Sequence, residues 1–199
     1  MDQEEVEQKL WQNLQKWSLQ KNILNLQEQK FNTIVLDPPW TISLSGKNIR
    51  RKQQATKLDY PTMSMDEIKA IPLDKIANVG CHVYCWTTNK FLRETFNVLE
   101  SWNVNYHLTL VWTKHNGMTP NFAYKFATEF CLLGFFGKPM QKFLRCGKLN
   151  WINTNAPKKH STKPQAFYDL VDEMSPGPKL EMFARNKRDG WDVWGNEIE

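Results

Sequence analysis

The sequence predicts an α/β fold, with a Rossmann-like, doubly wound, mostly parallel sheet in three layers. Two observations lead to this prediction. Apolar segments of strand length alternate with amphipathic segments of helix length, which is typical of strand–helix–strand units. Polar residues follow two of the apolar segments directly, at Asp37 and Arg185. In open α/β sheets, ligands bind at the carboxyl ends of the strands, so these positions are candidate site residues.

Five segments are predicted as strands because each is a short run of apolar and β-branched or aromatic residues. Their ranges are 33–37, 81–86, 106–112, 128–137 and 179–184, and the stretch 190–197 follows the last of them.

Three helices are predicted between the strands. The first covers 62–71, where Ser64 and Glu67 have the spacing of a capping box. The second covers 90–102 with Asn89 as its N-cap, and the third covers 163–174 with Pro164 near its first turn, where proline is tolerated.

Two further segments complete the predicted organisation. Within residues 1–22, apolar side chains recur at steps of three and four, which predicts an amphipathic helix that packs on the domain or in a dimer. Residues 41–59 are polar and basic without periodicity, and predict a mobile active-site loop. No repeat or linker divides the chain, so residues 1–199 are expected to form one domain.

The composition favours a soluble, cytoplasmic protein. No apolar run approaches the length of a membrane span, and the acidic, Gln-rich first thirty residues do not resemble a signal peptide. The four cysteines form no C-x-x-C pair. Cys81, Cys85 and Cys131 lie in apolar segments, where free cysteine behaves as a small hydrophobe. No metal site is expected.

The net charge of +5 is unevenly distributed. Basic residues concentrate in 47–57, 158–163 and 185–188. Each run alone would fit a solvated face, but three on one domain favour nucleic acid as the partner. The glycine-rich dinucleotide and phosphate-loop motifs and the Gly-x-Ser-x-Gly elbow are absent. A nicotinamide enzyme, an ordinary NTPase and a serine hydrolase are therefore disfavoured.

The stretch "LDPPW" at 36–40 ends the first predicted strand. Prolines alone would explain a turn. The turn also suits chemistry on the exocyclic amine of a nucleobase, a weak nucleophile. The Asp37 carboxylate and the Pro38 carbonyl can each accept one N–H, Pro39 stiffens the turn, and Trp40 offers a surface on which a base can stack. The matching electrophile is the sulfonium methyl of S-adenosylmethionine.

The motif and its companions resemble the MT-A70-like family of S-adenosylmethionine-dependent adenine-N6 methyltransferases. The companions, in order, are "YPTMSMDEI" at 60–68, "CWTTN" at 85–89, "TEFCLLGFFGK" at 128–138, "HSTKP" at 160–164 and "LEMFARNKRDGWDVWGNE" at 180–197. The resemblance runs from about residue 31 to the end of the chain and implies a permuted class I methyltransferase, with the catalytic motif early and the cofactor strand late.

The resemblance implies roles for individual residues. Cofactor contacts are assigned to Asp37, Lys163, Glu181, Arg185, Asn196 and Glu197. Substrate contacts are assigned to Trp40 and Tyr60, and the basic loop adds Arg50, Arg51 and Lys52. Glu129 and Trp86 are assigned to architecture. The shortened segment after Arg185 leaves open whether Lys187 or Arg188 reaches the cofactor ribose.

The expected function is transfer of a methyl group from S-adenosylmethionine to the N6 amine of adenine in nucleic acid, with DNA favoured over RNA. A second hypothesis is a non-catalytic, methyltransferase-like subunit that binds nucleic acid beside an active partner. The intact Asp37, Pro38, Pro39, Trp40 and Lys163 argue against it. A third is methylation of another amine, such as cytosine or a side-chain amide. Relatives often pair, so a homodimer or a paired subunit is also considered.

Overall fold

The computed structural model describes residues 29–41, 62–116, 119–120, 123–138, 140–157 and 162–195. Its elements, numbered in chain order, are β1 (Phe31–Leu36), α1 (Met65–Lys69), α2 (Leu73–Ile76), β2 (Ala77–Thr87), α3 (Leu92–Ser101), β3 (Val104–Lys114), β4 (Thr119–Pro120), β5 (Lys125–Phe126), β6 (Thr128–Phe136), β7 (Trp151–Thr154), α4 (Gln165–Met174), β8 (Lys179–Met182) and β9 (Asp192–Trp194).

A seven-stranded sheet has the order β7-β3-β6-β2-β1-β8-β9, and β4 and β5 form a separate hairpin. Only β6 runs against its neighbours; the pairings β7–β3, β2–β1, β1–β8 and β8–β9 are parallel. Strand β1 lies between β2 and β8, where Val35 is in register with both Tyr84 and Glu181. The predicted mostly parallel α/β sheet is confirmed.

The apolar residues of β1 alternate between two cores. Ile34 and Leu36 belong to a cluster that includes buried residues of α1, α2 and α3, whereas Val35 belongs to a cluster that includes Phe167 and Val171 of α4. Successive strand residues point to opposite faces, so a strand that is apolar on both faces must be covered on both. Helices on either side of the sheet give the three predicted layers.

All five predicted strands are present, as β1, β2, β3, β6 and β8. Strands β2 and β3 extend beyond the predicted ranges, and the edge strand β7 was not predicted at all. Strand β7 has four residues, of which only Ile152 is buried. Its sequence therefore lacks the continuous apolar run by which the central strands were recognised.

The helix starts test the predicted caps. Ser64 caps α1 with the full capping box, in which its side chain accepts from the Glu67 amide and Glu67 accepts from the Ser64 amide. The prediction for Asn89 is wrong: the N-cap of α3 is Phe91, which has no side-chain cap. The Phe91 amide donates to Thr88 O (3.0 Å), so Asn89 lies in the preceding turn.

Two predicted segments lie outside the described residues: the N-terminal helix within 1–22 and most of the loop 41–59. Within the described ranges, no helix is long and apolar enough to cross a membrane. The buried state of Cys81, Cys85 and Cys131 is confirmed.

Candidate active site

The turn that follows β1 is held by backbone hydrogen bonds. The Trp40 amide donates to Pro38 O (2.9 Å), and the Met63 amide donates to Pro39 O (2.9 Å). The Thr41 hydroxyl adds a bond to Met63 O (2.7 Å). Asp37 is the first residue beyond β1 and therefore projects from the carboxyl edge of the sheet. A turn tied to the segment before α1 keeps its acceptors in place without reorganisation.

Trp40 anchors this turn in the core. Its ring stacks on Phe91 with centroids 5.4 Å apart and an interplanar angle of 16°, and its Nε1 donates to Trp86 O (3.3 Å). The residue is 8% exposed. One face of the indole is thus already covered. Stacking of a target base on Trp40 stays a prediction, while the packing role is visible in the structure.

Lys163 meets Asp37 directly. Its Nζ lies 2.9 Å from Asp37 Oδ2 and 5.1 Å from the centre of the Trp86 ring. The Lys163 side chain is 9% exposed and that of Asp37 27%. Burial would lower the pKa of the Lys163 ammonium, but Asp37 and Glu129 hold it above its ordinary value. Lys163 therefore stays a cation in this buried position.

Glu129 is a charge partner of the site. Its Oε2 lies 3.2 Å from Lys163 Nζ, and its Oε1 accepts a hydrogen bond from Lys114 Nζ at 2.8 Å. Burial would raise the pKa of the Glu129 carboxyl, yet Lys163 and Lys114 outweigh burial and hold it below its ordinary value. The architectural role expected for Glu129 is therefore incomplete, because its carboxylate shares the cation of Asp37.

A second group of side chains surrounds Glu181 in β8. The Tyr168 hydroxyl donates to Glu181 Oε1 at 2.6 Å, and Arg188 Nε lies 3.8 Å from Glu181 Oε2. The Arg188 guanidinium carbon sits 3.3 Å from the centre of the Tyr168 ring. Burial raises the pKa of Glu181 above its ordinary value, although Tyr168 and Arg188 oppose the rise.

Both groups open into one cleft. It is lined by Asp37, Thr162, Lys163, Tyr168, Glu181, Phe183, Arg185, Asn186 and Arg188. Two buried polar atoms at its wall, Thr162 Oγ1 and Arg188 Nε, have no hydrogen-bond partner among the described residues. Buried donors are normally paired, so these two atoms indicate where a ligand would supply acceptors. Phe183 adopts a φ of 62° at the turn after β8, an unusual conformation for a bulky side chain.

The structure thus brings together four of the predicted site residues: Asp37, Lys163, Glu181 and Arg185 all line the cleft. Arg188 lines it as well, whereas Lys187 is exposed and does not. Six predicted residues lie outside the described residues, namely Arg50, Arg51, Lys52, Tyr60, Asn196 and Glu197. Among the described residues, no group of three or more His, Cys, Asp and Glu could hold a metal ion.

Sequence reasoning missed Tyr168 and Arg188 as neighbours of Glu181. Tyr168 lies on an amphipathic helix, where an aromatic residue signals only packing. Glu129 did leave a signal, because it is the single carboxylate in an otherwise apolar strand. A charge in such a strand must be paired, and the basic partners are far away in the sequence.

The chain is similar to known proteins over most of its length. The family model described as MT-A70 matches residues 31–197. The Type II methyltransferase M.MunI of a Mycoplasma species is 31% identical over 192 residues, which cover 87% of this chain and 80% of that protein. The human N(6)-adenine-specific methyltransferase METTL4 is 29% identical, with 84% of this chain and 37% of that one covered. The human N(6)-adenosine-methyltransferase catalytic subunit METTL3 is 25% identical, with 85% and 28% covered.

Proposed function

The chain belongs to the MT-A70 family, and on this premise we propose that it transfers the methyl group of S-adenosylmethionine to the N6 amine of adenine in DNA. The observation that carries the proposal is the pairing of Lys163 with Asp37 in the turn after β1. The matches to METTL4 and METTL3, whose names specify N(6)-adenine and N(6)-adenosine, support the choice of the amine.

The described cleft residues fit the proposed cofactor. S-adenosylmethionine, when bound, supplies an electrophilic methyl group on a sulfonium. Lys163 offers a compact cation for its carboxylate, and Glu181 offers acceptors for ribose hydroxyls. Thr162 Oγ1 and Arg188 Nε, which have no hydrogen-bond partner among the described residues, add donors at the same wall. Asp37 would face the methionine amino group, and the sequence assigns Arg185, Asn196 and Glu197 to the same pocket.

The turn provides acceptors for the target amine. The Asp37 carboxylate accepts one N–H of the amine, and the Pro38 carbonyl accepts the other. The Pro38 carbonyl already accepts a hydrogen bond from the Trp40 amide, but its oxygen has two lone pairs and can accept a second. Both acceptors draw the amine hydrogens to one side, which leaves the nitrogen lone pair directed away from them. The methylated amine loses one proton, which Asp37 can accept. Because Asp37 is 27% exposed, it can then release this proton to solvent.

A base stacked in a duplex cannot bring its exocyclic amine into an enclosed reaction site. The target adenine must be flipped out of the stack or already unpaired. Tyr60 and the basic residues Arg50, Arg51 and Lys52 would contact the displaced base and the phosphates around it. These four residues lie outside the described ranges, and their roles come from the sequence alone.

DNA is favoured over RNA on the basis of coverage. We infer DNA as the target because this chain spans 80% of the Type II methyltransferase M.MunI. By contrast, the chain spans little more than a third of METTL4 and less of METTL3. The retained Asp37–Lys163 pair argues against a non-catalytic subunit.

The test is methyl transfer from labelled S-adenosylmethionine to matched single- and double-stranded DNA and RNA, followed by digestion to nucleosides. The expected product is N6-methyladenine in DNA. Label in RNA alone would show that RNA, and not DNA, is the substrate. Label in cytosine or in protein would overturn the choice of amine. Cofactor binding without transfer to any polymer, or no cofactor binding, would favour the non-catalytic reading.

A further inference from the structure

Four charged side chains form an unbroken line at the carboxyl edge of the sheet, which we call the charge chain. Its order is Lys114, Glu129, Lys163 and Asp37, with successive N–O distances of 2.8, 3.2 and 2.9 Å. The first three side chains are 10%, 20% and 9% exposed. Lys114 stands at the end of β3 and Glu129 near the start of β6, two strands paired at this edge.

The charge chain is neutral as it stands, with two carboxylates and two ammonium groups. Without Lys114, one cation would serve two carboxylates. Both oxygens of Glu129 could then turn to Lys163, because Oε1 would have lost its donor. Lys163 would be drawn from Asp37 toward Glu129. Charges at these separations in a mostly buried place are weakly screened by salt, so the competition is strong.

Lys114 does not reach the cleft itself. Among the described residues, the cleft wall includes Asp37 and Lys163 but neither Glu129 nor Lys114. The contacts therefore connect Lys114 to the cleft through Glu129. Resting on the function proposed above, we propose that Lys114 is a positioning residue: it engages Glu129 so that Lys163 remains available to Asp37 and to the carboxylate of the cofactor.

Other groups near the charge chain do not replace Lys114. Burial raises the pKa of the Cys85 and Cys131 thiols, and the charge of Asp37 adds to the rise, so both thiols stay neutral. Glu181 and Arg188, which line the same cleft as Asp37, form their own pair. Lys114 Nζ is also 5.3 Å from the centre of the Trp112 ring, which fixes its approach to Glu129.

The test measures binding of S-adenosylhomocysteine by calorimetry to wild type, Lys114→Met, Glu129→Gln and the double variant. Lys114→Met is expected to weaken binding about tenfold, the size of one hydrogen bond to a charged group. Glu129→Gln removes the competing carboxylate. The double variant is therefore expected to bind more tightly than Lys114→Met alone, and Lys114→Arg is expected to retain most of the affinity.

Single and double variants that combine additively would overturn the proposal, as would unchanged binding in Lys114→Met. Circular dichroism and thermal unfolding check that each variant folds. If Lys114→Met does not fold, Lys114→Gln replaces it. This variant removes the charge that balances Glu129 but keeps a donor for its Oε1, so the same pattern with a smaller loss of affinity is expected. Wild type that fails to bind S-adenosylhomocysteine would instead refute the proposed function, so the two failures can be told apart.

Discussion

Lys163 Nζ lies 2.9 Å from Asp37 Oδ2, although the two residues are far apart in the sequence. Asp37 follows the central strand β1, and Lys163 directly precedes the N-cap of α4. The fold therefore joins an early and a late motif at one point. A cation between two carboxylates is stable there because each charge compensates the burial of the other.

Replacement of Lys163 by Met is expected to lower the free energy of unfolding by about 3 kcal/mol, since it leaves Asp37 and Glu129 without their shared cation. Urea unfolding measures the change. Lys75→Met serves as the control, because Lys75 and Asp74 are 3.9 Å apart with side chains 45% and 61% exposed. Its expected effect is within about 0.5 kcal/mol. Equal losses in the two variants would contradict the assigned role of Lys163.

His82 is expected to make stability depend on pH. Its Nε2 lies 3.1 Å from Gln141 O, which can only accept, so Nδ1 accepts from the Ser175 hydroxyl at 2.8 Å. Ser175 Oγ in turn accepts from Tyr84. Burial lowers the pKa of His82 below its ordinary value. The stabilisation from neutral His82 is thus complete above the unfolded pKa of about 6.5 and is lost as the pH falls through the folded value.

The measurement is the free energy of unfolding between about pH 7.5 and 5.5, around the ordinary pKa of histidine. Wild type should lose stability toward the acid end, and His82→Gln should flatten that slope. His107→Gln, which changes an exposed imidazole, should keep most of it, because burial lowers the pKa of His82 more than His107 does. A slope that is the same in wild type and His82→Gln would assign it to other groups.

Gly195 is expected to tolerate no side chain. A Cβ there would lie 2.6 Å from the backbone nitrogen of Ala184 and closer still to its carbonyl oxygen. The Ala184 amide donates to Trp194 O at 2.9 Å. Residue 195 therefore cannot move away from Ala184 without breaking this hydrogen bond. Gly195→Ala should cost about 2 kcal/mol or more in thermal or urea unfolding. Gly177→Ala, where a Cβ meets nothing within 4 Å, is the matched control and should change little.

The basic loop yields a prediction from sequence alone, because Arg50, Arg51 and Lys52 lie outside the described residues. Replacing all three by Gln should weaken DNA binding and reduce the slope of log affinity against log salt by up to about three. A titration at several salt concentrations gives the slope. Lys69 and Lys75, changed together, provide a comparison of similar charge loss. The same slope in wild type and the loop variant would exclude phosphate contacts from these residues.

The central sheet and the turn after β1 could be predicted because their signals are local. An apolar run followed by Asp-Pro-Pro-Trp specifies both a strand and a rigid stop, and the Ser64–Glu67 spacing specifies a helix start. Strand β7 could not be predicted from the sequence, because this edge strand buries only one of its four residues and so has no continuous apolar run. The prediction of Asn89 as an N-cap was wrong because a short turn at 88–91 precedes the helix.

The partners of the site residues required the fold. Glu129 reaches Lys163 because β6 pairs with both β2 and β3, a relationship that depends on strand order. Whether Lys187 or Arg188 lines the cleft depended on loop geometry, which places the Arg188 guanidinium on the Tyr168 ring. The sequence shows which residues are apolar or charged, but the pairing of strands that are distant in the sequence determines which charged side chains are in contact.

The most direct test of the account is single-turnover methyl transfer by Asp37→Asn at saturating S-adenosylmethionine. Asparagine keeps the shape of the side chain and removes its charge, so the account predicts a rate about a thousandfold below wild type with an unchanged circular dichroism spectrum. Asp66→Asn, an exposed carboxylate of α1, should transfer at the wild-type rate. Transfer by Asp37→Asn at the wild-type rate would contradict the assignment of the turn after β1 as the catalytic centre.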